Sequence, residues 1–394
     1  MSELQSHIMH EEVPVVRLVN ALLYAAIDQS ASDIHIEPTA YSGRIRFRVD
    51  GILYDQQIVE SAFMNQVSAR LKVLARIDIA ERRIPQDGKF RLAYERKEID
   101  VRVSTFPSLY GENMVLRILD RSVQTIKLDS LGFDPNMYCA IQDLLSRPQG
   151  FLLVCGPTGA GKTTTLYAAL AALNSAEKHI ITLEDPVEYN LPGITQGHVN
   201  PDAGFTFAKG MRSLLRQDPD IVMVGEIRDR ETAQIALEAS LTGHLVLSTI
   251  HTNDAPSVIM RLMDMGIEPF LINASLTAVL AQRLARKICL ECRVMTEPSA
   301  EEKLILQQMG ISTDYVYKGV GCARCKGRGY KGRVGIFELL PMTSKLRSLL
   351  VSSPIIGDIL AQARMDGWQP LQVDGARKVA QGIITLSELL RVAV

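Results

Sequence analysis

The chain contains a glycine-rich loop with the spacing of a phosphate-binding motif. It consists of Gly156, Pro157, Thr158, Gly159, Ala160, Gly161, Lys162 and Thr163, with Thr164 next, and matches G-x-x-x-x-G-K-[ST]. The strand-like run FLLVC precedes it and a helical pattern follows, as the motif requires. Glycines let backbone N–H groups surround a β-phosphate, Lys162 would bridge the β- and γ-phosphates, and Thr163 would give a hydroxyl to Mg²⁺. The loop predicts a bound nucleotide, and a glycine-rich turn with a chance lysine is the weaker alternative.

Two acidic segments carry the carboxylates that nucleotide hydrolysis would use. In RQDPDIVMVGEIRD, residues 216–229, a buried apolar run should deliver an acidic residue to the metal ion, but Gly225 comes first and Glu226 follows it. The segment ITLEDPVEY, residues 181–189, adds Glu184, Asp185 and Glu188. A carboxylate beside a divalent cation has a lowered pKa and accepts a proton poorly. A second carboxylate farther from the metal therefore suits the general base better.

Four of the six cysteines form two C-x-x-C pairs with 29 residues between them: Cys289 with Cys292, and Cys322 with Cys325. Four thiolates fit a closed tetrahedral Zn²⁺ site without an open coordination position, so the metal is expected to be structural. Bound zinc contributes on the order of 10 kcal/mol to the folding of such a module. A redox pair and an iron–sulfur centre are weaker alternatives, because nothing thioredoxin-like surrounds either pair. Cys139 and Cys155 are expected to be ordinary buried residues.

The elements that must position these groups fall into two differently patterned halves. In the first half, VPVVRLVNALLYAAIDQS has helical spacing, whereas GRIRFRVDG, EIDVRVS and NMVLRIL alternate between apolar and polar residues. In the second half, FLLVCG, HIITLED, DIVMVGE and HLVLSTIH are short apolar runs separated by helical patterns such as Thr163–Leu173 and Glu231–Ala239. These patterns predict an antiparallel α/β domain followed by a mainly parallel sheet covered by helices on both faces.

The bulk composition limits the class of protein. A chain of 394 residues is long enough for two or three domains, and 47% hydrophobic with 22% charged residues is typical of a soluble globular protein. The formal net charge of −1 gives no sign of a nucleic-acid coat. No apolar run reaches the roughly 18–20 residues of a membrane span, and the N-terminus lacks a signal-peptide pattern. Together with the cysteine usage, this indicates a cytosolic protein.

Three segments and the cysteine pairs together resemble one family. ITLEDPVEY, RQDPDIVMVGEIRD and TGHLVLSTIHTND (242–254) resemble the acidic box, the atypical Walker B box and the histidine box of the secretion-superfamily ATPases. The pairs CLEC and CARC narrow the resemblance to the type II secretion and type IV pilus assembly ATPases, the GspE and PilB group, since the related retraction ATPases lack this insertion. The resemblance covers nearly the whole chain from about Val13.

The resemblance implies an α/β fold with five parts. They are an N-terminal PAS-like α/β domain (13–120), a linker (121–127), a RecA-like P-loop ATPase domain (128–285), a zinc-binding tetracysteine insertion (286–335) and a small C-terminal helical subdomain (336–394). Family members usually carry a further N-terminal domain that docks on membrane partners, and this sequence is expected to lack it.

The resemblance also implies roles for individual residues. Glu226 would help to hold Mg²⁺ through water, because Gly225 is the family's own departure from the common Walker B pattern. Glu188 would be the general base that orients the attacking water, and an exposed strand-end carboxylate is the alternative. Glu184 and Asp185 would shape the acidic box beside the nucleotide. His251 would reach the γ-phosphate and report its loss, with His244 a weaker candidate, and a satisfied core histidine is the alternative for each.

Two pairs of arginines complete the implied ATP site. Arg102 and Arg117, on alternating strands, resemble the positions that contact the γ-phosphate from the N-terminal domain, and a solvated strand face is the alternative. Arg212 and Arg216 lie four residues apart, as on one helix face, and resemble a second pair that acts across a subunit boundary. The family forms hexameric rings in which closure of the N-terminal domain onto the ATPase domain supplies the power stroke.

The leading hypothesis is therefore a cytosolic hexameric ATPase that drives type II secretion pseudopilus or type IV pilus assembly. It would act on an inner-membrane platform protein, peripheral to the inner face of the cytoplasmic membrane. A basic patch after the second cysteine pair fits acidic phospholipid or a partner as well as a solvated rim: Lys326, Arg328, Lys331 and Arg333. The alternatives are a nucleic-acid motor, such as a helicase or conjugation ATPase, and a nucleotide-binding scaffold without turnover. No nucleic-acid partner is expected, because no basic-aromatic track for single strands is present.

Overall fold

The computed structural model describes residues 14–95, 97–120, 126–352 and 355–393. The chain divides into two units, Met1–Gln124 and Thr125–Val394. Val13, where the first domain was expected to begin, and residues 121–125 of the expected linker lie outside the described residues.

Among the described residues, the first unit is an antiparallel sheet with two helices, and the alternating patterns predicted the sheet. Its strand order is β3-β2-β1-β6-β5-β4. Apolar side chains of α1, α2 and the inner sheet face form one core, whereas the polar side chains between them point to the opposite face. The elements are α1 (Pro14–Asp28), β1 (Ala31–Pro38), β2 (Ser42–Val49), β3 (Ile52–Glu60), α2 (Ser61–Ala75), β4 (Gln86–Tyr94), β5 (Lys97–Ser108) and β6 (Gly111–Asp120).

The second unit contains a seven-stranded sheet of order β15-β12-β7-β11-β10-β8-β9 and a two-stranded sheet, β13-β14. Strands β12, β7, β11, β10, β8 and β9 are parallel, and β15 is antiparallel to β12. The strands are β7 (Gly150–Cys155), β8 (Ile180–Glu184), β9 (Thr195–His198), β10 (Ile221–Val224), β11 (Leu245–Ile250), β12 (Leu276–Ile288), β13 (Arg293–Thr296), β14 (Val316–Gly319) and β15 (Tyr330–Pro341).

Helices cover both faces of this sheet, and an apolar core lies on each face. Every residue of β7, β8, β10 and β11 is buried, which explains why these strands are largely apolar. The helices are α3 (Pro135–Ser146), α4 (Lys162–Leu173), α5 (Phe207–Leu214), α6 (Arg230–Leu241), α7 (Pro256–Asp264), α8 (Pro269–Ser275), α9 (Ala300–Gln308), α10 (Ser344–Ser352), α11 (Ile356–Met365), α12 (Leu371–Ala380) and α13 (Leu386–Ala393).

The tetracysteine segment is the long connection of an antiparallel hairpin. Strand β12 ends one residue before Cys289, and β15 begins five residues after Cys325. Both strands belong to the large sheet and extend past the boundaries expected at residues 286 and 335. Sequence patterning missed these two strands because they mix apolar with charged residues and lack the almost wholly apolar runs of the central strands.

Two buried carboxylates tie the C-terminal helices to this hairpin. Glu338 of β15 accepts hydrogen bonds from the backbone N–H groups of Ala255 (2.7 Å) and Leu371 (3.0 Å), and burial raises its pKa to about 7. Glu388 of α13 pairs with Arg286 of β12 and with Arg391. Although burial opposes it, the hydrogen bonds from these two arginines lower the pKa of Glu388 to about 2.

Helices with the length and apolar character of a membrane span are not found among the described residues.

Candidate active site

The predicted catalytic segments meet at one edge of the large sheet. Strands β7, β11, β10 and β8 are parallel neighbours, so their carboxyl ends lie side by side. The phosphate loop follows β7, His251 follows β11, Glu226 follows β10 after one residue, and Asp185 follows β8. Ligands of open α/β sheets bind at this edge, because loops and helix N-termini converge there.

The phosphate loop has a backbone that glycine alone accommodates. Gly156 and Gly161 have φ angles of 150° and 88°, and a Cβ atom at these positions would lie 2.5 Å and 2.9 Å from atoms of Gln282. The Lys162 ammonium donates hydrogen bonds to the carbonyl oxygens of Gly156 (2.8 Å) and Pro157 (3.1 Å). Burial lowers the pKa of Lys162. The exposed Thr163 hydroxyl lies in the first turn of α4, where the helix dipole favours an anion.

Strand β12 supports this loop from the side. Its Gln282 accepts a hydrogen bond from the buried Thr165 hydroxyl of α4 (2.7 Å). The adjacent Arg283 donates to the carbonyl oxygens of Gln282 (3.1 Å) and Asn253 (2.8 Å). Arg283 is therefore a further cation held beside the loop, and it joins the phosphate loop to the segment after His251.

Glu226 lies within a small charged cluster. Its carboxylate forms an ion pair with Arg228 and lies 3.3 Å from Nε2 of His251. Arg228 also reaches Asp185 at 3.5 Å, and its guanidinium bridges the two acidic segments. The Glu226 carboxylate thus forms an ion pair with the guanidinium of Arg228. Carboxylate and hydroxyl oxygens are the ligands that Mg²⁺ prefers. Glu226 and Thr163 thus fit the donor set of the expected metal.

Glu188 and Glu184 have different surroundings, although only three residues lie between them. Glu184 is buried, and its carboxylate accepts hydrogen bonds from Tyr167, Thr182 and Gln196. Tyr167 of α4 also accepts a hydrogen bond from the backbone N–H of Glu188 (3.3 Å). The Glu188 residue itself is exposed. The carboxylate of Glu184 is therefore fixed by hydrogen bonds within the protein, whereas the side chain of Glu188 faces solvent at the sheet edge.

Tyr167 joins these two residues and is wholly buried. Burial, and then the hydrogen bond to Glu184, raise the pKa of its hydroxyl, which remains a proton donor. The ring of Tyr189 packs edge-on against the ring of Tyr167 with 4.6 Å between centroids. The phosphate-loop helix is thereby linked to the segment that carries Glu188.

His244 does not belong to this cluster. It precedes β11, whereas His251 follows that strand, and the Nδ1 atom of His244 lies 2.9 Å from the carbonyl oxygen of Ala239. A six-residue strand spans roughly 20 Å. His244 therefore lies at the opposite end of its strand from His251, and its contact with the nucleotide stays a prediction.

The second arginine pair departs from the predicted geometry. Arg212 lies in the last turn of α5 and pairs with Glu231 of α6 (2.7 Å). Helix α5 ends at Leu214, so Arg216 is not on the same helix face, although its guanidinium donates to the carbonyl oxygen of Arg212 (2.6 Å). Within the described residues, neither guanidinium hydrogen-bonds to the phosphate loop.

Arg102 and Arg117 are neighbours on the outer face of the first unit. They are register partners on β5 and β6, and Arg117 donates to the carboxylate of Asp33 at 3.1 Å. The alternation of the two strands accounts for their outward direction.

The four cysteines form a candidate metal centre. Their sulfur atoms lie within 4.8 Å of one another, and three of the separations are 3.7–3.8 Å. Four sulfur atoms at about 2.3 Å from a tetrahedral Zn²⁺ ion would be about 3.8 Å apart. Backbone N–H groups of Cys322 and Gly329 donate to the Cys325 sulfur at 3.2 Å, as expected for a thiolate. Cys155 is buried as predicted, whereas Cys139 is exposed, contrary to expectation.

Sequence reasoning missed Tyr167, Gln282, Arg283 and Arg228. Arg228 lay within the quoted GEIRD segment, and Tyr167 falls five residues after Lys162 in the same helix. Gln282 and Arg283 had no signal, because β12 itself was not predicted.

Comparisons with known proteins show which family this chain is similar to. A family model described as "Type II/IV secretion system protein" matches residues 9–391. The chain is 47% identical over 384 residues to the type IV pilus assembly ATPase PilB of Myxococcus xanthus, and the match covers 96% of this chain and 68% of that protein. It is 47% identical over 383 residues to the type II secretion system ATPase E of Vibrio cholerae, with 97% and 76% covered.

Among solved structures, the fold is similar to the pilus retraction motor PilT with bound ADP. The TM-score is 0.61 at 25% identity, and the match covers 94% of this chain and 95% of that one.

Proposed function

Since this chain belongs to the type II/IV secretion system protein family and is an ATPase, we propose that it hydrolyses ATP at the edge formed by β7, β11, β10 and β8. The observation that carries this proposal is the convergence of the phosphate loop, Glu226, His251 and the Glu188 segment at adjacent strand ends. The work done by the enzyme is assembly of a type II secretion pseudopilus or a type IV pilus.

Binding of the triphosphate begins at the phosphate loop. Its backbone N–H groups and the N-terminus of α4 hold the phosphate chain. The Lys162 ammonium leaves the loop carbonyls and bridges the β- and γ-phosphates. Thr163 and Glu226 would hold Mg²⁺, which when bound neutralises charge on the phosphate oxygens.

The two acidic segments divide the remaining chemistry. Glu188, free to face the edge, orients the attacking water and accepts its proton. Asp185 and Glu184 shape the segment, Asp185 through Arg228 and Glu184 through Tyr167. His251 contacts Glu226 and reports the loss of the γ-phosphate, while Arg102, Arg117, Arg212 and Arg216 stabilise its charge.

We propose in addition that the four cysteines hold one structural Zn²⁺ ion and that residues 286–335 fold around it. The working form is a hexameric ring at the cytoplasmic face of the inner membrane, where it acts on a platform protein. The patch of Lys326, Arg328, Lys331 and Arg333 gives a basic surface beside the cysteines for acidic phospholipid.

Phosphate release from Mg-ATP tests the proposal. The parent chain should hydrolyse ATP, Lys162→Ala should reduce the rate at least 100-fold, and the exposed control Lys178→Ala should leave it unchanged. Absence of turnover in the parent chain would instead support a scaffold.

The same assay separates the motor classes. Vesicles that contain acidic phospholipid should stimulate the rate, whereas single-stranded DNA should not. Stimulation by DNA alone would contradict the secretion assignment and favour a nucleic-acid motor.

A further inference from the structure

Glu338 is a buried carboxylate that connects the beginnings of two helices. It lies on β15 opposite Ala281 of β12, and the residue is only 1% exposed. One carboxylate oxygen accepts a hydrogen bond from the backbone N–H of Ala255 (2.7 Å), and the other accepts one from the backbone N–H of Leu371 (3.0 Å). Ala255 immediately precedes α7, and Leu371 is the first residue of α12. One side chain therefore joins the start of α7 to the start of α12.

The segment between His251 and α7 is held at three consecutive residues by three different strands. Arg283 of β12 donates a hydrogen bond to the carbonyl oxygen of Asn253 (2.8 Å). The next two residues are contacted by the Cys155 thiol of β7 (3.5 Å) and by the Glu338 carboxylate of β15 (2.7 Å). Of these three contacts, the one made by Glu338 extends to the C-terminal helices.

The negative charge of Glu338 is not neutralised as that of Glu388 is. Glu388 pairs with two arginines, whereas Glu338 forms no ion pair within the part of the chain that the structure describes. Burial raises the pKa of Glu338 to about 7, although the hydrogen bonds from Ala255 and Leu371 oppose the rise. The carboxylate therefore exchanges between its charged and protonated forms near neutral pH.

The groups that face Glu338 come from several elements. The negative charge of Asp254, after β11, adds to the rise in the Glu338 pKa, whereas the Trp368 indole, before α12, lowers it. Burial lowers the pKa of Arg283 on β12, and Glu338 is one of the groups that oppose this change. Burial raises the pKa of the Cys155 thiol on β7 to about 12, so that thiol is neutral. Among the described residues, the surroundings thus contain a second carboxylate, a guanidinium and a neutral thiol.

Protonation changes the number of hydrogen bonds that the Glu338 side chain can accept. An ionised carboxylate accepts at both oxygens and therefore satisfies the N–H groups of both Ala255 and Leu371. Protonation turns one oxygen into a hydroxyl donor, so one of the two buried N–H groups keeps only a weaker acceptor. The segment that carries His251 is then attached less firmly to the C-terminal helices.

We infer that Glu338 is a positioning residue for ATP hydrolysis, and that its ionised form fixes the segment from His251 to Ala255 against the start of α12. The inference rests on the proposed function, in which His251 reports the loss of the γ-phosphate. It gives the C-terminal helices a part in placing His251, in addition to their packing against the hairpin.

Steady-state hydrolysis of ATP by the full chain at pH 8 and pH 6 tests this role. Glu338→Gln preserves the shape of the side chain but, like the protonated acid, keeps one accepting oxygen. We expect its kcat to be about tenfold below the parental value at pH 8 and about twofold below it at pH 6, with KM for ATP within about twofold. Because both chains share every other titrating group, the ratio of their rates isolates Glu338. The exposed Glu301→Gln is the control and should match the parent at both pH values.

Trp368 provides a second readout, which needs neither ATP nor a folded variant. It is the single tryptophan of the chain, and its indole nitrogen is buried beside the Glu338 carboxylate. Since indole emission responds to a nearby charge, the fluorescence of the parent should change with a midpoint at about pH 7. Glu338→Gln should abolish this transition, and Glu301→Gln should retain it.

Several results would overturn the inference and leave the proposed ATPase activity in place. They are an equal deficit in kcat at both pH values, a raised KM with unchanged kcat, and a parental fluorescence without a transition near pH 7. The same transition in Glu338→Gln would also overturn it. A parent chain that does not hydrolyse ATP would instead refute the proposed function and, with it, the role of Glu338.

Discussion

The two glutamates proposed for the reaction differ in the groups around them, and this difference supports their separate roles. Glu226 is flanked by Arg228 and His251, and its carboxylate forms an ion pair with the Arg228 guanidinium. Glu188 is exposed, and the structure holds it through its backbone N–H rather than through its side chain. Hydrolysis requires one carboxylate that binds the cation and a second carboxylate that remains available to accept a proton from water.

The Tyr167 hydroxyl should matter for turnover although it does not touch the substrate. Tyr167→Phe removes the acceptor for the Glu188 N–H and one donor to Glu184. An unsatisfied buried polar group costs about 1–3 kcal/mol, so the segment that carries Glu184 and Glu188 should shift. We therefore expect kcat to fall about tenfold while KM for ATP stays within about twofold.

Steady-state kinetics of Tyr167→Phe beside Tyr138→Phe check this prediction. Tyr138 hydrogen-bonds only to the side chain of Gln142 among the described residues, so its substitution should change neither constant. An equal rise in KM with unchanged kcat would show that Tyr167 supports nucleotide binding instead of positioning Glu188.

Residue types and spacing predicted the site residues that belong to the motifs, but not the residues that position them. Lys162, Glu226 and His251 were expected together, and the structure places them at one edge. His244 lies at the other end of its strand from His251, which the motif alone does not indicate. Tyr167 and Gln282 act through contacts with residues 17 and 117 positions away in the chain, which a local pattern cannot indicate.

At the scale of elements, the central strands and the β12–β15 hairpin have different origins of stability. The central strands are continuous apolar runs, and the sequence predicted them for that reason. The hairpin adds two strands to the same sheet, but its connection carries the cysteine cluster instead of a short turn. Its extent was missed because pairing with β7, rather than a continuous apolar run or a clear alternation, defines it.

Removal of the metal should loosen this connection and leave the phosphate loop intact. The chain should contain one Zn²⁺ ion, and Cys325→Ser should lose it, because three thiolates hold zinc more weakly than four. Proteolytic cleavage should then increase between residues 289 and 329, while ATP affinity stays within about threefold, since β12 remains paired with β7.

Metal analysis and limited proteolysis measure these effects, with the exposed Cys139→Ser as the control that should keep the metal. A Cys325→Ser chain with parental zinc content would show that the cluster is not the zinc site. Parental protease resistance after metal loss would show that the segment folds without it.

At the scale of the whole molecule, the sequence predicted two differently built halves, and the structure contains an antiparallel unit and a unit with a mainly parallel sheet. Arg102 and Arg117 of the first unit stand on an outer sheet face, and the acidic groups of the second unit stand at the carboxyl ends of its parallel strands. Alternation and continuous apolar runs are signals of different kinds of sheet, and the two halves can be distinguished in the sequence for that reason.

The most direct test of this account is the turnover of Glu188→Gln, measured together with its affinity for Mg-ATP. Glu177→Gln, an exposed substitution on the loop after α4, is the control and should behave as the parent. The account predicts ATP affinity within about twofold of the parent and a rate of hydrolysis reduced at least 100-fold, because only proton acceptance is lost. Hydrolysis by Glu188→Gln at the parental rate would contradict it.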